Sequence, residues 1–354
     1  MILQIDLAGE VLRFLLWFAA MVGFVGIHYI IYALLTDQGK KIPVPDAALE
    51  YTRKPDCLPS DGYFIDLHGH TLASDGWMTP EQLVKWHIAN SFNAFVLTDH
   101  NTSKNNKEIL ALQSKYPQIL IIPGFEWTSE RLHLNFIGIE DYPHHVPSVP
   151  TDEEIQQAIM NAKALGAVVL VDHVTWTMDQ PRLRSGELIH PTREQLLDWG
   201  ADGFEINNEM YWHDPTTARM LDDLHHEWKG RKLFSGTGTD IHNPFKEWAT
   251  GWTELLRDPS EQDTMSIETV KRILLDGRTK VWQHQDYHKP YEAKFWPGEQ
   301  HPRAKFLFVP FIGTVQGAVA VGAAKPKKVI GSYIIWLVLA YIPIRLLFWL
   351  FLLV

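Results

Sequence analysis

Residues 64 to 76 read FIDLHGHTLASDG, a short apolar run followed by His68, His70 and Asp75. Two apart in an extended segment, the imidazoles of His68 and His70 point the same way. The pattern recurs along the chain. AFVLTDH ends in Asp99 and His100, ILIIPGFE in Glu126, AVVLVDH in His173 and LFSGTGTDIH in Asp240 and His242, while His133 opens the stretch around LNFIGI. Imidazole nitrogen mixed with carboxylate oxygen is a donor set for zinc, manganese or iron, less so for calcium. So many donors exceed what one ion needs, so two or three divalent ions are expected. A lone histidine carries little weight in a chain with 17 of them, and His144, His145, His225 and His226 are expected to be solvated. The joint pattern carries the argument, because unrelated loops would not keep placing ligands after apolar runs.

Those runs imply the elements that position the ligands. Seven candidate strands lie at 63–68, 94–100, 119–126, 134–139, 167–173, 203–208 and 233–242. Continuous apolar runs suit strands buried on both faces. Helical patterns separate most of them. TPEQLVKWHIANS opens with Thr79 as cap and Pro80 at the first helical position. TDEEIQQAIMNAKALG opens with Thr151, has Glu154 as capping-box partner and stops at Gly166. DPTTARMLDDLHHEWKG and SIETVKRILLDG read as further helices. Alternating strands and helices predict a parallel α/β barrel or open sheet, and a barrel gathers the strand ends on the face where active sites sit. Between Glu126 and Leu134 there is no room for a helix, so a tight loop is expected there and the barrel is irregular.

The whole chain bounds the alternatives. Its 354 residues are 46% hydrophobic and 21% charged, a globular composition, with a net charge of -10. An acidic balance disfavours a long nucleic acid as substrate, since phosphate binding runs on basic residues. The single cysteine, Cys57, excludes a thiolate zinc cage and an intramolecular disulfide framework. Residues 14–35 are apolar and long enough to span a bilayer at about 1.5 Å per residue. The stretch 329–354 is a second expected span, with Pro343 to kink it and Arg345 to snorkel, and 306–324 is a weaker third segment. The expected organisation is an N-terminal anchor over 1–40, a catalytic domain over 60–290 and a membrane region over 291–354. Lys40 and Lys41 follow the first span, and Lys325, Lys327 and Lys328 precede the last. The positive-inside tendency then places the central domain in the cytoplasm.

Taken together, DLHGHTLASDG, LTDHN, GFEW, HLNFIG, VDH and GTDIH, in this order over about 60–285, resemble the polymerase and histidinol phosphatase (PHP) family. The resemblance implies a distorted seven-stranded β/α barrel, flanked here by N- and C-terminal transmembrane helices, that hydrolyses phosphoesters with up to three metal ions. It implies His68, His70, Glu126 and Asp240 as ligands of one ion, and Glu126 as a bridge to a second held by His133 and His173. A third site falls to Asp75, His100 and His242. The chain departs from many members at Asp75, where they have histidine, and at Val174, where they have proline.

Clustered cations neutralise phosphoryl oxygens and lower the pKa of a bound water, so metal-activated water is the expected nucleophile. Asp99 and His242 are expected as the proton donor to the leaving oxygen. Arg131, in TSER, and Arg182 and Arg184, in DQPRLRSG, suit a bidentate phosphate clamp. Glu205 and Asn207 close the sixth strand and are expected to support the ligands, and Trp127, Trp176 and Trp212 to pack near the site. The expected substrate is a small phosphorylated molecule. Cleavage of short oligonucleotides and an inactive metal-binding membrane sensor are the alternatives. An amidohydrolase would commonly carry lysine at an intermediate strand end, where this chain has Glu126. The sequence names neither the leaving group nor any protein partner.

Overall fold

A computed structural model describes residues 44–49, 58–208, 212–245, 247–258 and 265–283, and isolated positions between 9 and 23. Two units emerge, Ile42–Trp296 and a second made of Met1–Lys41 with Pro297–Val354. In the second unit, Phe14–Ala19 are helical, with Leu15 and Leu16 exposed. No helix among the described residues is long and apolar enough to cross a membrane. The expected segments 306–324 and 329–354, and most of 14–35, lie outside the described residues.

The first unit begins with the short helix α1 (Asp46–Leu49) and is built on a mixed sheet. Its leading strands are β1 (Phe64–Asp66), β2 (Ala94–Leu97), β3 (Leu120–Thr128), β4 (His133–Ile137), β5 (Val168–Val171) and β6 (Gly203–Asn208). Three short strands follow, β7 (Trp212–His213), β8 (Glu227–Trp228) and β9 (Arg231–Lys232), then β10 (Phe234–Gly238), β11 (Gly251–Leu255) and β12 (Thr279–Gln283). The sheet runs β10-β6-β5-β4-β3-β2-β1-β11-β12, with β7 on β6 and β8-β9 apart. The seven expected strands therefore appear as β1 to β6 and β10, in simple sequential order.

Two features depart from an all-parallel barrel. β4 runs antiparallel to both β3 and β5, because only Ser129–Leu132 separate Thr128 from its register partner His133. A loop that short returns the chain as a hairpin, whereas a parallel crossover needs a dozen residues or more. The second is the pair β11 and β12, unforeseen in the sequence and joined through the helix Ile267–Leu275; β11 runs antiparallel to β1, and β12 antiparallel to β11. The ring closes beyond the strands. Gly69 and Ile241 form a parallel bridge, Asp240 N–H donates to the His68 carbonyl at 3.0 Å, and His70 N–H donates to the Ile241 carbonyl at 3.2 Å.

Alternation along each strand fills two layers. In β2, Ala94 and Val96 join a cluster with Ile65, Ile122 and Leu170, while Phe95 and Leu97 pack with Leu83, Val84 and Ile109 from helices. Both faces are thus apolar and buried, which is why the strands read as unbroken hydrophobic runs.

The helices start where the caps predict. α2 (Pro80–Ala89) and α4 (Asp152–Ala164) have capping boxes at Thr79–Gln82 and Thr151–Glu154. α3 (Asn106–Ala111) lies between β2 and β3. The loop from β5 to β6 carries α5 (Val174–Asp179), α6 (Pro181–Arg184) and α7 (Arg193–Trp199). α8 (Pro215–Asp223) starts on Asp214 and ends before His225 and His226, both left-handed. α9 (Ile267–Leu275) is capped by Ser266.

Candidate metal centre

His68 and His70 leave β1 on the inner side of the ring, and Asp240 enters from the segment after β10. Their donors meet Glu126 of β3 at short range. His68 Nε2 lies 3.3 Å from Glu126 Oε2 and 3.4 Å from Asp240 Oδ1. His70 Nε2 lies 2.9 Å from Asp240 Oδ1 and 3.4 Å from Glu126 Oε2. Donors at about 2.1 Å from a tetrahedral ion stand about 3.4 Å apart, so this quartet has the spacing of a ligand shell.

The other oxygen of Glu126 faces a second group. Oε1 lies 2.6 Å from His133 Nδ1 and 3.8 Å from His173 Nε2. The antiparallel turn is what makes this possible. His133 is the first residue of β4, yet it stands at the end of the barrel where the other strands finish. A third group lies outward. Asp75 Oδ1 is 3.1 Å from His242 Nε2 and 3.5 Å from His100 Nε2, and His100 Nδ1 is 2.6 Å from Glu126 Oε2. Asp75 is the most exposed member, its side chain 59% accessible, whereas His68, His70 and Glu126 are fully buried.

The donor chemistry fits cations. His68 Nε2 is buried and has no hydrogen-bond partner. Elsewhere in a protein such an orphaned atom costs stability; here it faces Glu126 Oε2 and Asp240 Oδ1, two carboxylate oxygens that could share an ion with it. The tautomers suit ligation. His68 Nδ1 contacts Glu205 Oε1 at 3.2 Å and His242 Nδ1 donates to the Asp240 carbonyl at 2.7 Å, leaving each Nε2 for a cation. Two of the expected ligands hold unusual backbone conformations, φ 48° at Asp240 and φ 21° at His173. Strain of this sort concentrates at functional sites.

Without ions the cluster balances itself by protons. Burial opposes charge on His100, but Glu126 and Asp75 outweigh it and pull the imidazole up to about 11. His242 is drawn up to about 10 against burial by Asp240 and Asp75. Burial pushes His70 down to about 4, helped by the neighbouring His242. Glu126 and Asp240 are buried, yet the surrounding imidazoles hold both well below the carboxylate range.

All nine expected ligands come together, but the expected clamps and the first expected acid do not join them. Asp99 is turned to the loop. It accepts from Thr71 N–H at 2.7 Å, Thr71 Oγ1 at 2.5 Å and Ser74 Oγ at 2.7 Å, and so ties down the turn that carries Asp75. A carboxylate committed to three donors is an anchor, not a proton donor. His242 Nδ1 donates to the Asp240 carbonyl and its Nε2 faces Asp75 Oδ1, which groups it with the expected third-site ligands. Arg131 donates to the Ile189 and Pro150 carbonyls and to Asp152, at 2.8, 2.9 and 2.6 Å, so it staples loops together. Arg184 is exposed and pairs with Asp179 at 3.3 Å, and Arg182 pairs with Glu130 and Glu187. Asn207 bonds His213, and of the two β6 residues expected to support the ligands, Glu205 reaches His68.

Sequence reasoning missed Asp172. It is fully buried beside His68 and Glu205, and neither carboxylate oxygen has a hydrogen-bond partner. Burial pushes Asp172 and Glu205 up, and His68 opposes that only in part. Its position just before His173 was the available signal. Gly238 makes room for Glu205, since a Cβ there would lie 1.9 Å from Glu205 Oε1. Trp176 sets its ring edge-on to His133 and His173, at 5.3 and 4.8 Å between centroids, and walls one side of the centre.

This architecture has a counterpart among solved structures. The chain shares its fold with a two-domain protein of Bacteroides vulgatus that contains a predicted PHP-like metal-dependent phosphoesterase. The match has a TM-score of 0.50 at 21% identity and covers 66% of this chain and 69% of that one. A candidate metal-dependent phosphoesterase of Bifidobacterium adolescentis aligns at TM-score 0.42 and 18% identity, over 62% of this chain and 97% of that one. An amidohydrolase of Chromobacterium violaceum, with bound sulfate and no metal, aligns at 0.37 and 17%, over 51% and 88%. No protein-family model and no curated protein matches the chain.

Proposed function

We propose that the chain is a metal-dependent phosphoesterase of the PHP family, acting on a small phosphorylated molecule. The observation that carries this reading is Glu126, a fully buried carboxylate with one oxygen toward His68 and His70 and the other toward His133 and His173. A bridging carboxylate between histidine-rich groups is what a multinuclear hydrolytic centre requires. The shared fold agrees with it.

In this reading His68, His70, Asp240 and Glu126 hold one divalent transition ion, zinc, manganese or iron. Glu126, His133 and His173 hold a second. Asp75, His100 and His242 hold a third. The bound ions would neutralise phosphoryl oxygens and acidify a water. The chain's own residues orient and enclose. Asp99 holds the Asp75 turn, Glu205 fixes the His68 ring, and Trp176 closes the side next to His133. With Arg131 and Arg184 occupied elsewhere, the substrate's charge is met by the ions, not by those arginines. The catalytic unit is further proposed to be anchored in the bilayer through 14–35 and 329–354, with 36–300 in the cytoplasm.

The test is a screen of phosphomonoesters and phosphodiesters with the detergent-solubilised full chain after metal reconstitution. Phosphate release is expected with a small monoester. Asp240→Asn combined with His242→Ala should abolish release while circular dichroism shows the fold retained. Activity that survives in that variant would remove the segment after β10 from the site.

A further inference from the structure

The two ligand segments His68–His70 and Asp240–His242 are far apart in sequence and meet only where the barrel closes. Asp66 stands at that junction. Its Oδ1 accepts from His68 N–H at 3.3 Å and from Thr239 N–H at 2.9 Å. Its Oδ2 accepts from the Thr239 hydroxyl and faces His87 Nε2 at 2.8 Å. One carboxylate, 1% exposed, thus holds the backbone on either side of the seam.

His87 comes from α2, outside the ring, and is fully buried. Its Nδ1 lies 2.8 Å from the Leu83 carbonyl of the preceding helical turn. Both ring nitrogens therefore lie against oxygen atoms, one of the helix backbone and one of Asp66. The ring stacks on Phe95 of β2 at 4.1 Å and 12°, and has Trp86 and Phe92 at its edges. It also lies beneath Gly69, the residue between the two ligand histidines. A Cβ on Gly69 would come 3.6 Å from His87 Cε1 and 3.4 Å from Ile241 Cγ2.

We infer that His87 is a positioning residue of the metal centre. Through Asp66 it couples a packed helix to both ligand segments and sets their mutual register. What sets His87 apart from a core-filling histidine is its partner, since Asp66 is the carboxylate that grips the seam. Groups that hydrogen-bond a metal ligand directly are worth about 10- to 100-fold in affinity, and His87 acts on the ligand segments through Asp66.

The inference rests on the metal-centre reading, and the experiment separates the two. Zinc affinity is measured by chelator competition on the full chain, and the visible spectrum of the cobalt-substituted protein is recorded. Wild type is compared with His87→Leu, His87→Gln and Asp66→Asn. Circular dichroism and thermal unfolding of the metal-free forms report folding. His87→Leu is expected to lose about 10- to 100-fold in zinc affinity and to shift the cobalt bands. His87→Gln, which keeps an N–H for Asp66, should recover part of both. If His87→Leu does not fold, His87→Gln and Asp66→Asn carry the comparison. Folded variants with wild-type affinity and an unchanged cobalt spectrum, even if less heat-stable, would reduce His87 to core packing. A wild-type chain that takes up no metal would overturn the proposed function itself.

Discussion

Glu126 and the imidazoles around it set the chemistry at the scale of single residues. Glu126→Gln replaces an oxygen that faces one group or the other, and should lose more than one ion per chain by elemental analysis. Loss of a single ion would argue against bridging. The metal-free protonation pattern leads to a second expectation. His100 at about 11 and His242 at about 10 hold protons at neutral pH, and each must release its proton to ligate. Both values are raised, so protons compete with the third ion across the neutral range, and its affinity should climb with pH. Calorimetry in buffers of different ionisation enthalpy should find about two protons released as that site fills. Uptake without proton release would show that these histidines are not both protonated before the metal binds. The same scale explains the misread residues. Asp99 and Arg131 have catalytic side-chain types at plausible places, and only their partners reveal anchoring roles.

Elements decide which end of the barrel each ligand reaches. The hairpin from Thr128 to His133 reverses β4, so a residue at a strand start joins residues at strand ends. Arg131 in that hairpin clamps it to Pro150, Ile189 and the first turn of α4. Arg131→Ala should therefore destabilise the protein by about 1–3 kcal/mol. Metal stoichiometry of the folded protein should be unchanged. Denaturant unfolding alongside elemental analysis checks both, and loss of activity at full stability would restore Arg131 to the site. Much at this scale was legible beforehand. Caps at Thr79, Thr151, Asp214 and Ser266 announced four helices, and apolar runs announced seven strands. β11 and β12 were not, because GWTEL and TKVWQ mix polar and apolar residues and form no unbroken apolar run.

At the scale of the whole molecule, the apolar ends and the basic residues beside them bear on where the catalytic unit works. Single cysteines replacing Lys40 and Lys327, in a Cys57→Ser background, test the proposed orientation with a membrane-impermeant maleimide on intact cells. Both positions are expected to stay unlabelled until permeabilisation. Labelling at 40 would overturn the cytoplasmic placement, and labelling at 327 alone would show that 306–324 crosses. An acidic balance offers little basic track for a polymer, in keeping with the proposed small substrate.

The expected ligand set was legible in the sequence alone, because donor type and position beside an apolar run are local properties. An apolar run followed by His-x-His or Asp-x-His places its side chains on one side wherever the strand lies. Which donors share an ion is not local. The pairing of His70 with Asp240 and the grip of Asp66 on His68 and Thr239 depend on the seam between the segments that follow β1 and β10, and the division of Glu126 between two groups depends on the reversal of β4. The same holds for what became of Asp99, Arg131 and Asp172. A charged side chain reads alike in sequence whether it faces a cation, a loop or nothing at all, and only packing supplies or withholds its partner.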